Sequence, residues 1–168
     1  GTFDAVIGNV PFGSVALYDP QHNRGKHSIH NHFIIKSLDL LKPGGTMVVL
    51  TSRFTLDSVS DRARQEMYAV ADLLGAVRLP NGAHFAAART EALTDILVLR
   101  KRLPSEVPGD ATWVQTGPWQ GQDGDEARVN EYFLRHPGRV LGHTWIGPGM
   151  YGSDTLQVKA EGTTSTAS

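Results

Sequence analysis

Near the start of the chain, Asn9-Val10-Pro11-Phe12 directly follow the apolar run Phe3-Asp4-Ala5-Val6-Ile7-Gly8. An amide, a proline-stiffened main chain and an aromatic ring in succession are what an ordinary strand-to-helix loop can carry, and they also suit the handling of an amine attached to a planar ring. Such a nitrogen is a poor nucleophile because its lone pair is delocalised into the ring. Acceptors aimed at its hydrogens make it more tetrahedral and hold it in line with an electrophile, which is preorganised electrostatics combined with positioning. The Asn9 side-chain oxygen can be one such acceptor. Pro11 stiffens the turn and biases Val10 toward an extended backbone, and Phe12 offers a face on which a base swung out of its stack could lie.

A loop of this kind needs a rigid base. Phe3 to Asn9 has a short apolar centre with β-branched residues and ends in a Gly-Asn-x-Pro turn signal, which predicts a buried strand. After the polar loop 13–28, residues 29–41 carry Phe33, Ile34, Ile35, Leu38, Leu40 and Leu41 at mostly helical spacing. Lys42-Pro43-Gly44-Gly45 closes that helix. Thr46 to Ser52 predicts a second buried strand, completing a βαβ unit whose strands run parallel and whose functional loops sit at the strands' C-terminal ends. Asn9 and Ser52 should share that edge. Asp61 to Leu74 reads as a helix capped by Asp61 and ended by Gly75. Ala76 to Pro80 reads as a third strand, and Asp95 to Arg102 as a fourth. No helix long enough to cross the sheet separates the last two, so they should pair antiparallel.

Composition limits what the chain can be. Its 168 residues, 40% of them hydrophobic, suit one globular domain. The formal charge of -1 supplies no overall basic field, so any nucleic-acid contact must be local or come from elsewhere in a larger protein. No apolar run approaches a bilayer-spanning length and no signal-peptide pattern opens the chain, which makes the cytoplasm the expected location and a membrane an unexpected partner. Cysteine is absent. The chain begins at Gly1 with an apolar run from Phe3, as a piece of a longer polypeptide would. The expected organisation is 1–102 as half of a catalytic domain, 103–125 as a Pro/Gly/Asp-rich linker or irregular excursion, 126–160 as a small extension of one helix and one strand, and 161–168 as a disordered tail. The helix in that extension is read at Glu126 to Arg135 and the strand at Leu156 to Val158.

Asp4-Ala5-Val6-Ile7-Gly8-Asn9-Val10-Pro11-Phe12 resembles the catalytic motif of amino-methyltransferases, an Asn or Asp, two prolines and an aromatic residue. FDAVIGNVPFG, YDP, LLKPGG, TSRFTLD, GAVRLPNGAHF and TEALTDILVLRKR together resemble the methylase region of large helicase-associated N6-adenine DNA methyltransferases of phages and mobile elements. The likeness covers Phe3 to about Arg102, and more weakly VNEYFLRHPGRVLG. It implies an α/β, partial Rossmann-like fold: the second half of an S-adenosylmethionine-dependent methyltransferase, with two parallel strands, a terminal antiparallel pair and an irregular C-terminal extension.

The resemblance also implies roles. Asn9, Val10, Pro11 and Phe12 would form the catalytic loop, with the Val10 carbonyl as the second acceptor. Valine stands where most relatives have proline, but it retains that carbonyl. S-adenosylmethionine would be the methyl donor, touched here only at Asn9, with its main pocket in an upstream half. DNA, that upstream half and a helicase-like region of the same polypeptide would be the partners. Methylation at cytosine C5 proceeds through a cysteine adduct, so the lack of cysteine favours amine methylation. From the residues, adenine N6 and cytosine N4 both remain; the resemblance favours adenine. Protein-glutamine or RNA methylation by the same loop is an alternative, as is a non-catalytic DNA-contacting remnant within a helicase-like protein.

Two further patterns carry less. Gly147-Pro148-Gly149-Met150-Tyr151-Gly152 matches G-x-G-x-x-G, but Ser153 to Lys159 reads as a strand where a dinucleotide loop needs a helix. Residues 22–32 gather His22, Arg24, Lys26, His27, His30 and His32 without an acid. Their spacing is wrong for a metal, so none is expected, and Arg24 and Lys26 are candidate phosphate or sugar contacts. Thr90, Glu91, Thr94 and Asp95 also match the family's segment, although capping and loop hydrogen bonds explain them equally well.

Overall fold

The computed structural model describes residues 1–10, 29–82, 93–148 and 154–161. Four strands form the main sheet: β1 (Phe3–Asn9), β2 (Leu41–Ser52), β3 (Ala71–Arg78) and β4 (Thr94–Lys101). Their spatial order is β1-β2-β4-β3. β1 and β2 run parallel, and β4 lies antiparallel between β2 and β3. The expected parallel pair and antiparallel pair are thus both present, and the strand that comes last in sequence sits inside the sheet. Helix α1 (Ile29–Leu40) makes the crossover from β1 to β2. A single turn, α2 (Phe54–Asp57), follows β2, and α3 (Arg62–Tyr68) leads toward β3.

The helices cover one face of the sheet. Met47, Val49, Leu97 and Leu99 point into a core shared with Ile34 and Leu38 of α1 and Met67 of α3, all essentially without solvent contact. Gly8 faces α1 closely; a Cβ there would stand 3.0 Å from the Phe33 ring. The opposite face carries a row of paired residues, Ile7, Val48 and Val98, with a second row of Leu50, Ile96 and Val77 beside it. These are half-buried, and Ile7 is 85% exposed.

Between α1 and the regular part of β2, the register jumps from Phe3↔Leu41 to Ala5↔Thr46. Lys42-Pro43-Gly44-Gly45 forms this bulge, with Gly44 at φ +86° in the left-handed region. The structure therefore starts β2 at Leu41, ahead of the expected Thr46.

Three sequence expectations are corrected. The helix read over Asp61 to Leu74 ends at Tyr68, and residues 71–74 belong to β3. Asp61 makes no side-chain cap; its carboxylate accepts from the Gln65 amide at 2.8 Å. Gly75 is a strand residue beside a register shift, not a helix stop. The physical reason is that Ala71, Leu73, Ala76 and Val77 suit a strand beside β4 as well as they suit a helical stripe, and sheet pairing decides between the two.

The helix read over Glu126 to Arg135 is likewise divided. Glu126–Asn130 is strand β6, paired antiparallel with β5 (Thr116–Gln120), and only Glu131–Arg135 is helical, as α4. Finally, the segment following Arg102 contains β5 and a 3-10 turn at Thr112–Val114 that buries Trp113 and Val114. A second hairpin joins β7 (His143–Pro148) to β8 (Asp154–Lys159), the latter covering the strand read at Leu156 to Val158.

Candidate functional site

Because β1 and β2 are parallel, Asn9 and Ser52 end at the same edge of the sheet, with Asn9 opposite Leu50. Asn9 is solvent-exposed. Val10 behaves differently: its side chain is fully buried in the core and its N–H donates to the Leu50 carbonyl at 3.0 Å. Val10 is therefore held by packing and by a ladder hydrogen bond that a proline could not donate. Pro11, Phe12, Arg24 and Lys26 lie outside the described residues, as do Thr90 and Glu91.

The same edge is built from β2's continuation. Ser52 Oγ accepts from the Phe54 N–H at 3.2 Å, Thr51 and Thr55 share a hydroxyl hydrogen bond of 2.9 Å, and the Arg53 N–H reaches the Leu93 carbonyl at 2.7 Å. These bonds turn the chain sharply into α2. Phe54, 50% exposed, is left with the Arg53 guanidinium 4.5 Å over its ring.

Behind this edge lies a buried ionic cluster. Arg78, at the end of β3, donates through Nε and Nη2 to the two carboxylate oxygens of Asp95 on β4, at 2.8 and 2.9 Å. Its Nη1 lies 2.8 Å from Asp57 Oδ2, which also accepts from Arg53 at 2.8 Å. Asp57 Oδ1 accepts from the Asn130 N–H at 2.8 Å. The Phe133 ring lies 4.4 Å from the guanidinium carbon of Arg78. Burial pulls the Arg78 pKa down, but Asp95 and Asp57 together outweigh it and hold the guanidinium above its ordinary value. Burial pushes the Asp95 carboxyl up, against the opposing pull of Arg78. Two cations facing two anions with bidentate geometry favour the fully ionised state, so the direction for Arg78 is the one that describes the cluster. Its charges are engaged with one another, which makes it a positioning device and not a reacting group.

The cluster also fastens the C-terminal segment to the sheet. Asn130 caps α4 by accepting from the Tyr132 N–H, while its amide donates to the Leu56 and Trp113 carbonyls at 2.7 Å each. Arg64, fully buried, donates to the Val114, Thr55 and Ser58 carbonyls. Sequence reasoning found Asp95 but assigned it loop or capping bonds, and it missed Arg53, Asp57, Arg78 and Asn130. Only knowledge that β3 and β4 pair with Arg78 opposite Asp95 could have found them.

Gly147 and Pro148 end β7, and Asp154 opens β8. The G-x-G-x-x-G match thus joins two antiparallel strands, not a strand to a helix. His30, on α1, has its pKa lowered by burial, which favours the neutral ring. No helix among the described residues is long and apolar enough to cross a membrane.

No protein-family model matches the chain. Over 112 residues, 63% of the chain, it is 36% identical to the defense against restriction protein B of Escherichia phage P1, and it spans only 5% of that protein's length. Among solved structures it is similar to a protein from Listeria monocytogenes described as a class I S-adenosylmethionine-dependent methyltransferase. That match has 22% identity, covers 65% of this chain and 35% of the other, and has a TM-score of 0.50. The M protein of the type I restriction enzyme EcoKI matches with 19% identity over 84% of this chain and 31% of its own, at a TM-score of 0.49. The Listeria likeness agrees with the strand order and shows the fold: α/β, and part of the Rossmann-like methyltransferase architecture.

Proposed function

We propose that the chain is the target-amine side of an S-adenosylmethionine-dependent DNA methyltransferase that acts on the exocyclic N6 of adenine, working within a longer polypeptide. The observation that carries this reading is the exposed Asn9 at the C-terminal end of β1, next to β2 in a β1-β2-β4-β3 sheet. The Asn9 amide oxygen and the Val10 carbonyl accept from the two hydrogens of the amine. Val10, held by its buried side chain and its bond to Leu50, keeps that carbonyl's strand fixed. Phe12 stacks on the flipped base, and Arg24 and Lys26 contact the DNA backbone. S-adenosylmethionine supplies an electrophilic methyl group when bound. The chain's own contribution to its pocket is the edge at Asn9, since the acids nearest that edge, Asp57 on α2 and Asp95 on β4, are engaged by Arg78. The rest of that pocket, and a helicase-like region, belong to the remainder of the polypeptide, in keeping with the small share of its relative that this chain spans.

Two measurements test this. Calorimetric titration of S-adenosylmethionine into the 168-residue chain should show no binding at micromolar concentration; micromolar affinity would overturn the divided pocket. In the longer polypeptide, Asn9→Ala should lower methyl transfer by about a hundredfold or more while leaving cofactor affinity nearly intact. Product analysis must then find N6-methyladenine. Methylated glutamine or RNA as the sole product would reject the DNA assignment, and full activity in the variant would remove Asn9 from the mechanism.

A further inference from the structure

Away from the Asn9 edge, two tryptophans on different hairpins face one cleft of about 480 Å³. Trp119 lies on β5 and Trp145 on β7, and each is followed two residues later by a glycine, Gly121 just past the end of β5 and Gly147 within β7. The spacing has a steric consequence. A Cβ on Gly121 would stand 2.7 Å from the Trp119 ring, and one on Gly147 only 1.9 Å from the Trp145 ring. Each indole therefore lies down along its own strand, over backbone that no other residue would leave open. Trp145 keeps 39% of its surface exposed.

The rim is polar in a specific way. Gln120, Gln122, Asp123 and Asp125 contribute amides and carboxylates, and the described lining contains no Lys or Arg. His143 is the one basic side chain in that lining, so a phosphate finds little there to neutralise it. Flat apolar faces suit an aromatic ring system, and the rim groups suit its hydrogen-bonding edge. Carboxylates accept from exocyclic amines, which adenine and cytosine carry and thymine lacks, and glutamine can complete the pairing on the same edge. Duplex DNA hides ring faces inside the stack, so the ring must come from an unpaired strand.

We infer that the Trp119–Trp145 cleft is a stacking site for an unpaired adenine or cytosine of single-stranded DNA, separate from the Asn9 loop. It rests on the nucleic-acid reading of the Asn9 edge and extends it to a second, unpaired base of the bound strand. The strand's phosphates face away from the cleft. Affinity there comes from stacking and edge contacts, and its salt dependence is shallow.

Intrinsic tryptophan fluorescence of the 168-residue chain, titrated with short oligodeoxyadenylate, oligodeoxycytidylate and oligothymidylate, provides the test. The adenine and cytosine strands should quench, with thymidylate weaker by roughly tenfold. Trp145→Ala should weaken adenylate binding by roughly tenfold. Gly147→Ala, whose methyl displaces the indole, should do the same. The paired rim changes Gln122→Ala and Asp125→Ala, at exposed positions, should erase the preference for adenylate over thymidylate, whatever Trp145→Ala does to folding. Equal quenching by all three strands, a steep salt dependence, or unchanged affinity in the rim variant would overturn the inference. Failure here is separable from failure of the enzyme reading. A chain that passes these tests inside a polypeptide making no N6-methyladenine keeps the cleft and loses the enzyme; methylation without base-selective quenching does the reverse.

Discussion

The two outer strands of the sheet have opposite surroundings. Along β3, the C-terminal segment closes the edge: the Tyr132 hydroxyl accepts from the Ala76 N–H at 3.2 Å, Val140 forms a bridge to Arg78, and the Leu141 N–H donates to the Arg78 carbonyl at 2.8 Å. Along β1, the described residues supply no partner but β2, and Phe3 and Ile7 stand 50% and 85% exposed. Natural sheets cover, charge or shorten their edges. Here one edge is covered by the chain's own residues, and the other is an apolar strand bearing the candidate reactive loop. The difference teaches that the C-terminal segment completes the sheet on the side away from Asn9, while among the described residues the strand that holds Asn9 is joined only by β2.

The comparison can be broken at its strongest point first. Asp57→Ala removes the acceptor shared by Arg53, Arg78 and the Asn130 N–H, leaving a buried guanidinium short of a partner. Urea unfolding should show a loss of about 3–5 kcal/mol; a loss under 1 kcal/mol would mean that the cluster does not hold the covered edge. Tyr132→Phe removes only the hydroxyl on Ala76 and should cost about 1 kcal/mol by the same measurement. At the open edge, Ile7→Lys should change the stability of the 168-residue chain by less than about 0.5 kcal/mol, because the side chain is already in water. The same substitution in the longer polypeptide should be far more damaging. Equal small effects in both would remove the idea that β1 is covered there.

How much of this was legible depended on how local the signal was. β1 and α1 announce themselves within their own residues, through Val6-Ile7 before a Gly-Asn turn and through the apolar spacing that runs to Leu41, but the strand read as buried is mostly exposed, since among the described residues only β2 pairs with it. Asn9 was singled out because its motif is contiguous. β3 was read too short because Val70, Ala71 and Leu74 fit a helical stripe and no Gly or Pro marks the true end at Tyr68. Glu126-Ala127-Arg128 favours helix locally, and only pairing with Thr116–Gln120 makes it a strand. Trp113 hid in a stretch whose prolines and glycines suggested a linker, although its ring is buried edge-on to Tyr68. The Arg78–Asp95 pair was invisible for a different reason: its members are ordinary residue types 17 positions apart, and their meeting depends on a strand register that no short window contains.

The position of β4 has a consequence in time. Synthesis delivers β3 before β4, yet β3 pairs with no other main-sheet strand, and β4 alone joins it to β2. A nascent chain that has emerged only as far as residue 93 holds β3 with its sheet partner still unmade. The Arg78–Asp95 pair and the β3 side of the core must therefore wait for residues 94–101, and the covered edge and the rest of the ionic cluster for residues 130–141, a late, non-local closure of the kind that slows folding.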